Sequence, residues 1–238
     1  MNNRLKLSII IPVYNEDRTI LSVVHSLQEV DFGEHEVEII MINDGSTDDT
    51  KKVLDAINDE RITIIHKENG GKGSATRAGL QRATGDIVVI QDGDIEYNVH
   101  DIPKLIEPFE ESNAQAVYGS RFLGTIHHMP LPNKIANKLL TFMNNLFWGR
   151  GTTTDSCTCY KMLDRELIQS FDLQDEGFDI CHEITANLRR KKINIVEIPI
   201  SYTARSGEEG KKAKWWNLLK SIWAVFYYRF LDPFNKKK

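Results

Sequence analysis

Three carboxylates, Asp92, Asp94 and Glu96, follow the apolar run Val88-Val89-Ile90 at a spacing of two residues. Side chains alternate across a strand with period two, so while the extended geometry continues all three acids point to one side. Hard oxygen donors so arranged suit Mg²⁺ or Mn²⁺ and leave coordination positions for substrate phosphates. Gly93, between the first two, lets the backbone turn sharply. Asp-x-Asp is also ordinary turn and helix-cap composition, so its meaning rests on the polar clusters elsewhere in the chain.

Three further clusters have the same form, an apolar run that breaks into polar residues. Residues 7–11 end in Pro12-Val13-Tyr14-Asn15-Glu16, residues 37–42 in Asn43-Asp44-Gly45-Ser46-Thr47-Asp48, and residues 62–65 in Lys67-Glu68-Asn69-Gly70-Gly71-Lys72-Gly73. Glu16 and Asp44 can accept hydrogen bonds from ribose hydroxyls or a base N–H, and Tyr14 can pack against the base. Equally, Asp44-Gly45 can be a plain turn with Asn43 as a cap. The Gly-Gly-Lys-Gly run can bring backbone N–H groups and an ammonium near a diphosphate. Its spacing is not that of a P-loop, and the alternative is a flexible turn before a helix.

Helical periodicity follows each run: residues 17–27, a segment capped by Asp48 or Thr47, and residues 76–83 before a strand at 87–91. Strands alternating with helices predict an α/β fold, a mostly parallel, doubly wound sheet with helices on both faces. Ligands of such sheets bind beyond the carboxyl ends of the strands, where all four polar clusters fall. With 238 residues and 41% hydrophobic content, one domain is expected, over residues 1–212, with a basic amphipathic tail over 213–238. The start, Arg4-Leu5-Lys6-Leu7-Ser8, imitates a signal peptide, but Pro12, Asn15 and Glu16 cut its apolar run short. Cys157, Cys159 and Cys181 fit neither a disulfide framework nor a four-ligand zinc site and read as reduced cytosolic thiols. Residues 205–238 hold nine Lys/Arg against three Asp/Glu, a net of +6 that leaves −10 on the remainder. An acidic body does not suit nucleic acid as a partner, whereas a basic, aromatic tail suits an anionic membrane surface.

Taken in order, Ile10-Ile11-Pro12-Val13-Tyr14-Asn15-Glu16, Asn43-Asp44-Gly45-Ser46-Thr47-Asp48, Gly71-Lys72-Gly73-Ser74-Ala75 and Gln91-Asp92-Gly93-Asp94 resemble the motifs of family 2 glycosyltransferases of the GT-A fold. The later part is similar to one branch, the polyprenyl-phosphate glycosyltransferases typified by dolichol-phosphate mannose synthase. The matching residues are Tyr118-Gly119-Ser120-Arg121-Phe122, Thr154-Asp155-Ser156-Cys157-Thr158-Cys159-Tyr160-Lys161, Glu183-Ile184-Thr185-Ala186, and Ile198-Pro199-Ile200-Ser201-Tyr202 with Arg205 and Lys211. The resemblance implies inverting, metal-dependent transfer of a sugar from a GDP- or UDP-linked donor to a polyprenyl phosphate at the cytoplasmic face of a membrane. It implies a nucleotide-binding half over residues 1–96 and an acceptor half over 97–212. Pro12, Tyr14, Glu16 and Asp44 would hold the nucleoside with Lys72 and Gly73 beside it, and Asp92, Asp94 and Glu96 the metal. Glu96 stands where the family commonly has Gln, and Cys157-Thr158-Cys159-Tyr160 where Ser-Gly-Phe is frequent.

On this reading Asp94, Arg121 and Asp155 form the expected catalytic set. Arg121, Arg205 and Lys211 are the candidates to hold the acceptor phosphate, Arg as a planar fork and Lys as a mobile point charge. Asp155 would orient sugar or acceptor, and would be the general base if the acceptor were a sugar hydroxyl. The alternatives are a soluble sugar or protein acceptor, or a nucleotide-sugar-binding subunit without turnover. Residues 135–148 carry a helical apolar stripe that suits a core helix or one dipping into lipid. Residues 215–231, short of a comfortable span, suit a helix in the headgroup zone; packing on the body or a dimer partner is the alternative.

Overall fold

The structure, a computed structural model, describes residues 4–149, 153–205 and 215–233. Its elements run β1 (Lys6–Val13), α1 (Ile20–Glu29), β2 (Glu36–Asp44), α2 (Thr50–Asp55), β3 (Ile62–Lys67), α3 (Gly71–Arg82), β4 (Ile87–Ile90), α4 (Ile102–Ser112), β5 (Ala116–His127), α5 (Leu131–Trp148), β6 (Lys161–Asp164), α6 (Arg165–Gln169), α7 (Ile180–Arg190), β7 (Val196–Thr203) and α8 (Trp215–Phe230). One seven-stranded sheet has the order β3-β2-β1-β4-β6-β5-β7. Strands β3, β2, β1 and β4 are parallel, β6 runs antiparallel to both neighbours, and β5 and β7 are parallel. This is the mostly parallel α/β sheet that the alternation of strands and helices predicts.

The central strands are apolar on both faces because helices cover both. Leu7, Ile9, Ile10 and Ile11 of β1 and Val88 and Val89 of β4 are fully buried, the near-continuous aliphatic pattern of covered parallel strands. Helix α3 lies close against this layer because it carries Gly79. A Cβ there would meet Ile10 Cγ2 at 2.4 Å and Ile42 Cδ1 at 2.7 Å.

Three differences from the expected boundaries bear on the site. Helix α1 begins at Ile20, three residues later than the periodicity predicts, because Asn15 adopts a left-handed φ of 54° and the Glu16 carbonyl accepts from Thr19 and Ile20 N–H. Helix α3 begins at Gly71, five residues earlier, so Gly71-Lys72-Gly73 is its first turn and not a loop. Strand β4 ends at Ile90, and Glu96 N–H donates to Asp94 Oδ1 in a tight turn. Period-two alternation is therefore lost before the three acids are reached, and they do not share one strand face.

Gly79→Ala should lower stability by about 1–3 kcal/mol, the usual cost of overpacking. Urea unfolding of the variant beside the parent measures it, and an unchanged midpoint would mean that Ile10 and Ile42 yield freely.

Candidate active site

The carboxyl ends of β1, β2 and β4 deliver Glu16, Asp44, Asp92 and Asp94 to one cavity of about 290 Å³, which Pro12, Tyr14 and Lys72 also line. This is the ligand edge of a doubly wound sheet. Crowding of acids there is offset by cations from elsewhere. Asp44 is almost fully buried. Its carboxylate accepts from Lys67 Nζ at 2.7 Å and from the backbone N–H of Gly70 at 3.0 Å and Gly71 at 2.7 Å. It thus caps the N-terminus of α3 from a neighbouring strand, where an anion meets the helix dipole and unpaired N–H groups. Gly73 N–H donates to the Glu176 carbonyl at 2.9 Å, and a Cβ on Gly73 would collide with the Asp175 carbonyl. The glycine run therefore spends its amides within the protein, and Gly73 serves close packing at the cavity's edge. Of this run Lys72 turns inward, donating to Asp92. Burial lowers the Lys72 pKa, but Asp92 beside it outweighs that and holds it well above the ordinary lysine value.

Arg205, expected on the acceptor side, lies among the acids that follow β1 and β4. Its guanidinium donates to both oxygens of Glu16 at 3.0 and 3.1 Å and to Asp94 Oδ2 at 2.6 Å. Its Nε stands 3.7 Å from Glu96 Oε1. Burial lowers the Arg205 pKa, but Asp94, then Glu16 and Glu96, raise it further. Tyr202 OH donates to the other Glu96 oxygen at 2.9 Å. One guanidinium thus joins three carboxylates. Among the described residues no group of three His, Cys, Asp or Glu side chains gathers into a ready cation cage. Asp92 and Asp94 nonetheless border the same cavity, and two hard carboxylates fit Mg²⁺ or Mn²⁺ held jointly with substrate phosphates.

A second cavity, of about 220 Å³, adjoins the first and shares Lys72, Asp92 and Phe178 with it. Arg121 borders it, buried and paired at 2.7 and 2.9 Å with both oxygens of Asp155, which is 0% exposed. Asp155 therefore faces Arg121 inside the protein. It is itself set by Glu197 of β7, which accepts from Thr154 N–H at 2.8 Å and Asp155 N–H at 3.3 Å. The Arg121 guanidinium lies 5.1 Å from the Tyr202 ring centroid and 5.9 Å from that of Tyr97, within cation–π range. Burial opposes its charge, but Tyr97 and Asp155 hold its pKa well above the ordinary value. Lys211 lies outside the described residues.

Tyr202 and Lys161 fall within motifs of the resemblance, but their place at the cleft was not legible in the sequence, and Phe178 carried no signal at all. Tyr97, Tyr202 and Phe178 are aromatics whose roles depend on the chain folding back. Lys161 is buried at the floor of the second cavity, donating to the Ser156 carbonyl at 3.0 Å with its ammonium 3.7 Å from the Tyr118 ring centroid. Burial pushes its pKa below the ordinary lysine value.

Residues 8–171 match the family described as glycosyl transferase family 2. The chain belongs to that family and is a glycosyltransferase. It is 31% identical over 226 residues to the UDP-N-acetylglucosamine–dolichyl-phosphate N-acetylglucosaminyltransferase of Methanococcus voltae, covering 85% of this chain and 88% of that one. It is 27% identical over 216 residues to the dolichol-phosphate mannosyltransferase of Pyrococcus furiosus, covering 87% of this chain and 59% of that one. The fold is that of glucosyl-3-phosphoglycerate synthase from Mycobacterium tuberculosis, solved in complex with Mn²⁺, UDP and phosphoglyceric acid. That likeness has a TM-score of 0.73 and 21% identity over 95% of this glycosyltransferase and 79% of the other chain.

Asp155→Ala in this glycosyltransferase should cost roughly 3–5 kcal/mol, because it leaves a buried guanidinium unpaired. Replacing both partners, Arg121→Met with Asp155→Leu, should recover most of that stability. Chemical denaturation of the three proteins makes the comparison; a double variant no better than the single one would show that the pair is needed for the fold itself.

Proposed function

We propose that the protein transfers a sugar, with inversion, from a nucleoside diphosphate to the phosphate of a polyprenyl lipid. The observation that carries this reading is the pair of adjoining cavities. One is edged by carboxylates and Tyr14, and the other by a buried arginine and by residues of α5 and α8. Both of the relatives named above bear names that specify a dolichyl lipid phosphate as substrate or product, which supports the same acceptor class.

In the first cavity Tyr14, half exposed, would stack on the base, and Glu16 would accept from the ribose once Arg205 turns to phosphate. Asp92 and Asp94 would hold Mg²⁺ or Mn²⁺ with the diphosphate, Glu96 standing two residues beyond. Bound there, a divalent cation stabilises the negative charge that accumulates on the departing nucleoside diphosphate. Lys72, at the boundary of the two cavities, adds a fixed positive charge near the breaking bond. Arg121 would hold the acceptor phosphate, whose oxygen already carries the charge to attack and needs no strong base. Asp155, in contact with Arg121 and not with the cavity, is a positioning residue for that guanidinium. Attack from the acceptor cavity on the side opposite the leaving group gives inversion.

Helices α5 and α8 supply the surface for a lipid substrate. Exposed Ile135, Leu139, Phe142 and Leu146 of α5 and Leu219, Trp223, Phe226 and Phe230 of α8 repeat at the same helical spacing, and the rings of Phe147 and Phe230 meet at 5.2 Å. Among the described residues no helix is long and apolar enough to cross a membrane. The two stripes suit the headgroup zone of a bilayer, where Lys and Arg beside an apolar face add attraction to anionic lipid.

The deciding experiment screens nucleotide sugars against a short polyprenyl phosphate, with Mn²⁺ and with EDTA, and reads product mass. A glycosylated lipid phosphate formed only with the cation is expected. Transfer to a soluble sugar in its place would reassign the acceptor, and EDTA-resistant turnover would remove the metal. For the surface, Phe142→Glu combined with Trp223→Glu should abolish flotation of the full chain with anionic vesicles while retaining transfer to the short acceptor. Undiminished flotation would refute this attachment.

A further inference from the structure

We propose that Phe178 is the sugar-contacting, specificity-determining residue of this glycosyltransferase, the platform on which the transferred ring rests as it passes between the two cavities. The inference rests on the donor reading above and deepens it. Phe178 borders both cavities, together with Lys72 and Asp92, and its side chain is 64% exposed. Lys72 Nζ lies 5.6 Å from its ring centroid. Of the three residues common to both cavities, two are charged and engage each other. Phe178 is the apolar one.

The segment that presents the ring is clamped from both sides. On the α3 side, Gly73 N–H donates to the Glu176 carbonyl at 2.9 Å and Arg77 donates to the Asp175 carbonyl. On the other side Glu183 of α7 accepts from the N–H groups of Gln174 and Asp175 at 2.8 and 2.9 Å, and Ser221 of α8 donates to Asp179 Oδ1 at 2.6 Å. A segment fixed by this many contacts places a large, 64% exposed aromatic at the edge of both cavities, where its apolar area faces a ligand. The group that must lie where the two cavities meet is the one exchanged between the two substrates. A pyranose has an apolar C–H face, and an aromatic ring beside the Lys72–Asp92 pair matches it, the polar pair lying on the side of the hydroxyls. A nucleoside diphosphate without its sugar would not reach the ring.

The test is calorimetric titration of the full chain, in Mn²⁺, with UDP and UDP-N-acetylglucosamine and with GDP and GDP-mannose. The parent, Phe178→Ala and Phe178→Tyr are compared. Phe178→Ala should weaken binding of the preferred nucleotide sugar about tenfold, the size of a lost aromatic contact, and leave the matching nucleoside diphosphate within about twofold. Phe178→Tyr should bind both as the parent does. Equal weakening of both ligands by Phe178→Ala would make the ring part of the nucleotide wall and overturn the inference. So would undiminished nucleotide-sugar affinity, with the donor reading left intact. A parent that binds neither pair would overturn the donor reading and the inference together.

Discussion

Gathering carboxylates at the edge of a buried sheet is the physical problem on which the rest of this structure depends. Glu16, Asp44, Asp92, Asp94 and Glu96 arrive within one cleft, and a buried carboxylate without a counter-charge costs several kcal/mol. Each is met by a cation or by N–H groups: Asp44 by Lys67 and the start of α3, Asp92 by Lys72, and the other three by Arg205.

This balancing stitches distant parts of the chain together. Arg205 follows β7 at one edge of the sheet, yet its partners leave β1 and β4 near the centre. Strand β7 also supplies Glu197 to the segment that carries Asp155, and Asp155 in turn fixes Arg121 of β5. Asp101 ties the same strand back by accepting from Ser201 N–H at 2.6 Å. The acids at the ends of β1 and β4 are therefore met by a residue that follows β7, the same strand that sets the Asp155–Arg121 pair.

The parallel half of the fold was legible because each strand is an aliphatic run that ends in a polar cluster, a local pattern repeated four times. Where the reading slipped, a side-chain contact that periodicity does not encode decided. Gly71-Lys72-Gly73 joins a helix because Asp44, 27 residues from Gly71 in sequence, satisfies amides that would otherwise need water or an anion. The three acids after β4 lose their common face because the Asp94 carboxylate takes the Glu96 amide, and no periodicity in the sequence marks that turn. The resemblance singled out Arg205, but its neighbours were not legible, since Glu16, Asp94 and Glu96 lie 189, 111 and 109 residues away in sequence. The antiparallel insertion of β6 between β4 and β5 is likewise invisible to alternation, which predicts parallel neighbours only.

Helix α5 shows how a surface and a cleft can be built from one element. Its outer stripe is apolar and exposed, whereas Asn137 and Leu140 border the second cavity, and Thr141 and Asn144 point into a buried polar cluster. Thr141 Oγ1 and Asn144 Nδ2 lie 3.2 and 3.3 Å from Ser156 Oγ, and Asn144 Nδ2 lies 3.4 Å from His182 Nδ1. Buried polar groups hold position more strictly than apolar ones, because any shift leaves a donor or acceptor unpaired at a cost of about 1–3 kcal/mol. The cluster fixes α5 to the start of the Ser156–Lys161 segment and to α7, so whatever the outer stripe rests on is held at a set distance from Arg121. The exposed apolar face and the buried charge thus stand at a fixed offset, which a helix buried by an apolar inner face alone would hold less strictly.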